Sequence, residues 1–215
     1  MKPRFSIIIP AYNEEKCIRK TLESIPKSKE VETIVICNAC TDETESIAGR
    51  YSKIISIKEK NVSKARNIGA QNSKGEILIF LDADTLLTEN VLKEINLKLK
   101  SSVIGTCRVK PNPGKLKYKI AMFLKNFFLW FPWTTGIIYC TKDVYKKING
   151  FDESKTKKED SDFVKKAKLH GRFSIANAYV INSMRRFEAL GLIKVSLYWI
   201  KETLKPTKKE YKSIR

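Results

Sequence analysis

Two carboxylates close a hydrophobic run in the segment Phe80-Leu81-Asp82-Ala83-Asp84. Acids two residues apart repel one another. They become compatible when a divalent cation sits between them and a polyphosphate, because Mg2+ and Mn2+ prefer carboxylate and phosphate oxygen. The same pair also reads as turn and capping chemistry before a helix. Pro10-Ala11-Tyr12-Asn13-Glu14-Glu15 follows another apolar run. An aromatic there can stack on a nucleobase, and the segment also reads as a plain loop entering a helix. Asn38 to Asp42 stands after a third run, and the Asn38 amide can both donate and accept. Lys64-Ala65-Arg66-Asn67 offers two cations, either for a diphosphate or as surface charge. In Lys158-Glu159-Asp160-Ser161-Asp162 a carboxylate can take the proton of an acceptor hydroxyl. It can equally do no more than complement a helix dipole.

These groups act together only if the fold gathers them. Apolar runs at residues 5–9, 33–37, 54–57 and 77–81 read as strands. Between them, residues 15–25 carry Ile18, Leu22 and Ile25 at helical spacing. Residues 42–50 follow Thr41 as a cap, and residues 63–72 read as a third helix. Thr88 caps a fourth helix reaching about Leu99. Four strands alternating with helices predict an α/β fold: a mostly parallel sheet flanked by helices, whose strand carboxyl ends line a ligand crevice. The second half is less regular. It holds a strand at 103–109, a turn at 111–114, a strand at 136–140, a short helix capped by Thr141 and ended by Gly150, and a helix at 159–170 stopped by Gly171. Residues 115–131 are amphipathic, with Ile120, Phe123, Leu124, Phe127 and Phe131 on one face. A last helix at 186–204 carries Phe187, Leu190, Ile193, Leu197, Ile200 and Leu204, widened by Leu192, Val195 and Trp199, before Pro206 and a basic tail.

The chain has 215 residues, 42 basic and 23 acidic, for a formal charge of +19. The excess is lopsided: residues 1–110 hold 19 basic and 14 acidic groups, residues 111–215 hold 23 and 9. A basic half suits phosphates, anionic lipid or polyanions. Most of the excess is Lys, whereas bidentate base reading favours Arg, which argues against sequence-specific nucleic-acid recognition. No apolar run is long enough to span a bilayer. The run after Met1-Lys2-Pro3-Arg4 is too short for a signal peptide. Five cysteines, an odd number, fit a reducing cytoplasm. Cys37-Asn38-Ala39-Cys40 lacks a second Cys-x-x-Cys, and the only histidine, His170, reads as a helix-end residue.

Taken in order, these segments resemble glycosyltransferase family 2, nucleotide-sugar enzymes of the GT-A fold. The matching text is residues 6–15, Cys40-Thr41-Asp42-Glu43-Thr44, Ala65-Arg66-Asn67-Ile68-Gly69-Ala70, Gly75 through Asp84, Gly150-Phe151-Asp152-Glu153 and Glu159-Asp160-Ser161-Asp162. The resemblance implies that Pro10, Tyr12 and Glu14 border the nucleotide, with Tyr12 near the base, and that Arg66 helps to hold it. It puts Asp82 at the ribose or metal region, Asp84 on a Mn2+ or Mg2+ bridging the diphosphate, Asp160 as the base and Glu159 beside the acceptor. It implies inversion at the sugar. Where many members read Asp-Asp-Gly-Ser-Thr-Asp this chain has Cys37-Asn38-Ala39-Cys40-Thr41-Asp42, so Asn38 is the group left to meet a base edge. Residues 1–185 then form one catalytic domain, with a nucleotide-binding half at 1–105 and an acceptor-side half at 106–185; residues 186–215 form an amphipathic helix and basic tail.

Phe127-Phe128-Leu129-Trp130-Phe131-Pro132-Trp133 is aromatic, and lysines stand at 115, 117, 119 and 125. Aromatics beside cations suit a bilayer interface. The expected partners are a nucleotide-sugar donor, a glycan or lipid-linked acceptor and an anionic membrane surface on the cytoplasmic face, with a homodimer as another use of the last helix. The competing expectations are a polyprenyl-phosphate glycosyltransferase and a non-catalytic basic module that binds membrane or RNA.

Overall fold

The computed structural model describes residues 2–129, 134–155 and 157–204, the last six as backbone alone. Four apolar runs become strands: β1 (Phe5–Ala11), β2 (Val31–Asn38), β3 (Lys53–Ile57) and β4 (Ile77–Leu81). Every residue of β4 is buried, as is all of β1 except Pro10. Such strands need cover on both faces. Side chains alternate accordingly: Ile7, Ile9, Ile79 and Leu81 enter one hydrophobic cluster, Ile8, Leu78 and Phe80 the other.

Helices α1 (Ile18–Glu23), α2 (Thr44–Ala48), α3 (Val62–Gln71) and α4 (Val91–Lys98) alternate with these strands. Strands β5 (Thr85–Leu87), β6 (Ile104–Asn112), β7 (Ile137–Thr141) and β8 (Phe173–Ser183) extend one sheet in the order β3-β2-β1-β4-β7-β6-β8-β5. The pairs β1–β2, β1–β4, β2–β3 and β6–β8 are parallel, and β4–β7, β6–β7 and β5–β8 are antiparallel. The sheet is therefore mostly parallel, with antiparallel seams in its second half. Helices α5 (Leu116–Phe127), α6 (Lys142–Lys147), α7 (Glu159–Lys168), α8 (Arg185–Leu190) and α9 (Leu192–Leu204) complete the described chain.

Several local expectations are corrected. Thr41 does not cap α2; it is tied to Asn13, while Asp42 Oδ1 accepts from the Thr44 amide at 3.0 Å. Thr88 does not cap α4; its hydroxyl donates to the Tyr179 carbonyl at 2.7 Å. The last helix is two helices, broken at Gly191, whose φ of +84° is left-handed and cheap for glycine. Thr141 does cap α6, accepting from the Val144 amide. The aromatic segment Trp130–Trp133, the side chains of Trp199, Ile200 and Leu204, Pro206 and the basic tail lie outside the described residues.

Candidate active site

Because β1, β2 and β4 run parallel, their carboxyl ends open on one rim. The chain entering antiparallel β7 reaches the same rim, where the Asp82 amide donates to the Gly136 carbonyl at 2.9 Å. Helix α3 crosses the sheet near this rim. It lies close because residue 69 is glycine: a Cβ there would overlap Ile8 Cγ2 and Ile36 Cδ1. That approach carries Arg66 to the ends of the strands, and Arg66 is buried.

Arg66 joins carboxylates from both halves of the chain. Its Nη1 lies 2.7 Å from Asp160 Oδ1 and 3.2 Å from Glu159 Oε1, and its Nη2 lies 3.4 Å from Asp82 Oδ1. Its cation also sits 5.1 Å from the centre of the Phe151 ring. Burial opposes this charge, but the fields of Asp160, Glu159 and Asp82 outweigh it and hold the guanidinium more firmly protonated than usual. Asp160 Oδ2 accepts from the Thr134 hydroxyl at 3.0 Å. The buried Oδ1 has its ion pair but no well-aligned hydrogen bond among the described residues. Burial first, and the charge of Asp160 second, push Glu159 up to about 7.

The loop ahead of α7 is fastened to α3. Asn67 Nδ2 donates to the Phe151 carbonyl at 2.9 Å and to Glu153 at 2.8 Å, and its Oδ1 accepts from the Phe151 amide and the Tyr145 hydroxyl. Gly150 stands in the turn with φ +68°, where an added Cβ would meet Asn67 and Tyr145. Phe151 stacks on Phe163 of α7 with ring centres 4.0 Å apart. By contrast Asp162 faces away from this constellation, paired with Lys155 and Lys166.

The aspartates that end β4 each meet an arginine. Asp82 faces Arg66, and Asp84 Oδ2 lies 3.3 Å from Arg185 Nη2. Arg185, the first residue of α8, also grips both Glu14 oxygens at 2.7 and 2.5 Å and reaches Cys17 Sγ at 3.3 Å. The side chains of Asp82 and Asp84 remain 45% and 27% exposed. Surrounding protein atoms, and then the charges of Asp160 and Asp84, push Asp82 up to about 6 despite Arg66. Two further cations act on this spot: Arg186 on Asp82, and Lys125 of α5, which burial shifts downward while Asp82 and Asp160 pull it back up. Among the described residues, no three His, Cys, Asp or Glu side chains form a metal cage. Asp82 and Asp84 supply two oxygen donors where negative charge is already crowded. That set fits a hard divalent cation such as Mg2+ or Mn2+.

Tyr12 follows β1, and Lys60 Nζ stands 4.3 Å from its ring centre. Asn38 is buried at the end of β2, and its Oδ1 accepts the Asn61 amide at 2.9 Å. Asn61 in turn caps α3, its side chain accepting from the Lys64 amide. Cys40 Sγ donates to the Ala11 carbonyl at 3.3 Å. The proximity of the two thiols, ahead of burial, pushes the Cys37 thiol up and draws Cys40 down to about 7.

Arg66 thus gathers Asp82, Glu159 and Asp160, and Arg185 gathers Glu14 and Asp84. Arg185 and Thr134 are additional members that the sequence does not single out, and Lys125 is one that it marks only as a lysine beside the aromatic segment. Arg185 follows β8, a strand absent from the sequence-based assignment, so its approach to β1 and β4 could not be read.

The model of the family described as glycosyl transferase family 2 matches residues 6–191. The poly(ribitol-phosphate) beta-N-acetylglucosaminyltransferase TarS of Staphylococcus aureus is 30% identical over 102 residues, 42% of this chain and 18% of TarS. A solved TarS 1–349 complex with UDP-GlcNAc superposes with a TM-score of 0.68 at 23% identity, covering 84% of this chain and 58% of that one. The uncharacterized glycosyltransferase RT0329 of Rickettsia typhi is 32% identical over 187 residues, 74% of this chain and 57% of its own length. A mannosyltransferase of Pyrobaculum calidifontis in complex with GDP-Man and Mn2+ shares the fold with a TM-score of 0.68 at 20% identity, covering 94% of this chain and 65% of that one. The chain therefore spans less than two thirds of each of these proteins.

Proposed function

This chain belongs to glycosyl transferase family 2, and from its site we propose a nucleotide-sugar-dependent transferase that moves a sugar, with inversion, onto an acceptor oxygen. The observation that carries the reading is the Arg66 junction. It ties Asp82, on the donor side, to Glu159 and Asp160, on the acceptor side, within one cleft. TarS with UDP-GlcNAc and the Pyrobaculum enzyme with GDP-Man lend the donor class.

In this reading the nucleotide lies along the rim. Tyr12 stacks on the base, Asn38 offers its Nδ2 hydrogens, and Pro10 and Glu14 border the ribose side. Asp84 and Asp82 would hold Mn2+ or Mg2+, which would neutralise charge on the diphosphate. The chain's own cations Arg185, Arg186 and Lys125 face the same charge. Arg66 holds and aims Asp160 through their ion pair. The acceptor hydroxyl oxygen bonds to the anomeric carbon as the bond from that carbon to the diphosphate oxygen breaks. The hydroxyl proton passes to Asp160, and the nucleoside diphosphate leaves. Glu159 flanks the acceptor, a glycan or a lipid-linked saccharide.

The test pairs a thermal-shift screen of nucleoside diphosphates with Mn2+ or Mg2+ and a transfer assay with the matching sugar donor. Asp160→Asn is expected to lower hydroxyl transfer by about 10²–10⁴-fold while nucleotide still raises the melting temperature. The reading fails if no nucleotide shifts the wild type, or if the variant transfers at the wild-type rate.

A further inference from the structure

Helix α5 turns its greasy side outward. Leu116, Ile120, Phe123, Leu124 and Phe127 fall within an arc of about 100° around the helix axis, and all are exposed, Phe123 at 70% and Phe127 at 68%. The opposite side of the helix holds Tyr118 and Met122 in the core. Lys117 and Lys119, both exposed, flank the apolar arc on either edge. Close by, α8 meets α5 through the Tyr118–Phe187 ring contact and the Lys115–Glu188 ion pair. Helix α9 begins there and presents Ile193 and Leu197 outward with Lys194 between them.

We propose that the outer face of α5, with Ile193 and Leu197 of α9 beside it, docks on the surface of an anionic lipid bilayer. An apolar arc edged by lysines is the arrangement of a helix lying in a membrane interface: the stems of the lysines cover hydrocarbon while their ammonium groups reach the headgroups. The charge agrees, since the half of the chain containing these helices holds 23 basic and 9 acidic residues. Insertion is shallow, because among the described residues no helix is long and apolar enough to cross a membrane. The inner side of α5 carries Lys125 toward Asp82 and Asp160, so docking sets the acceptor side of the cleft against the lipid. That last consequence rests on the transferase reading, whereas the docking itself does not.

The experiment is flotation of the full chain with phosphatidylcholine vesicles, with and without phosphatidylglycerol. Expected is flotation with the anionic vesicles that weakens as salt rises. Phe123→Gln with Phe127→Gln should reduce the bound fraction at least about 10-fold without lowering the melting temperature, since both side chains are exposed. Lys117→Glu with Lys119→Glu should abolish the preference for anionic lipid. The proposal is overturned if the wild type stays with the lipid-free fraction, or if both pairs of substitutions leave flotation unchanged. It is equally overturned if light scattering shows a dimer that the Phe substitutions dissolve while vesicles go unbound. Flotation needs no donor sugar, so a chain that floats without transferring sugar would sink only the transferase reading.

Discussion

At the scale of residues, Arg66 decides the electrostatics of the cleft. Three carboxylates converge on one buried guanidinium, so its removal leaves like charges facing each other with no directly paired counter-ion, Lys125 and Arg186 acting only from farther off. Arg66→Ala is expected to cost about 3–5 kcal/mol, measured by chemical denaturation; a loss below about 1 kcal/mol would mean the network is solvent-screened. Glu159 gives a sharper signature. Its proton is bound more tightly in the folded chain, with the affinity raised from 4.5 to about 7. Such a group favours the folded state while protonated. Its stabilisation is complete below 4.5 and is lost as pH rises through about 7. Glu159→Gln stays neutral, so the melting temperature of the variant should gain on the wild type between about pH 5 and about pH 8. Parallel melting curves across that range would remove Glu159 as the titrating group. Residues of this kind were legible in part. The order of the segments around Arg66, Asp82 and Asp160 pointed to a shared site, but that all three meet in one ion cluster depends on α3 and α7 converging from opposite halves of the chain.

At the scale of elements, placement depends on small features that periodicity does not report. The four strands of the first half are marked by apolar runs of four or five residues, and each appears where its pattern puts it. Strand β8 reads FSIANAYVINS, with polar residues interrupting the apolar ones, and β5 has three residues. Neither run is continuous enough to announce itself, and without β8 the arginines that follow have no address. The apolar arc of α5 shows the other failing of pattern: amphipathicity gives a stripe but not the direction it faces. Glycine placement is more telling. Gly69 lets α3 settle on Ile8 and Ile36, and Gly69→Ala should destabilise the fold by about 1–3 kcal/mol through overpacking. Because the same shift moves Arg66, nucleotide affinity in the thermal-shift assay should fall along with stability. A variant that is destabilised but binds nucleotide normally would show that α3 tilts without moving its amino-terminal half.

At the scale of the molecule, a site assembled from both halves requires that they fold as one body. Strand β4 is the shared member: it pairs with parallel β1 on one side and antiparallel β7 on the other, and its residues enter both hydrophobic clusters. Phe80, projecting from β4, contacts Phe151 edge-on at 4.9 Å and Phe163 at 5.8 Å, so the sheet centre and the helix bearing Glu159 and Asp160 rest on the same aromatic stack. Phe163 is fully buried. Its replacement by Ala should cost about 3–5 kcal/mol from lost transfer energy and the cavity left behind. At roughly 2–4 °C per kcal/mol for a chain of this size, the melting temperature should drop by about 10 °C. The decisive reading is the form of the transition. If the halves are one body, hydrogen exchange will show β1 and β2 losing protection together with β6 and β7 in the variant. If β6 and β7 open first while β1 and β2 stay protected, the acceptor side is a separate unit, and the Arg66 junction is a contact between domains rather than the centre of one.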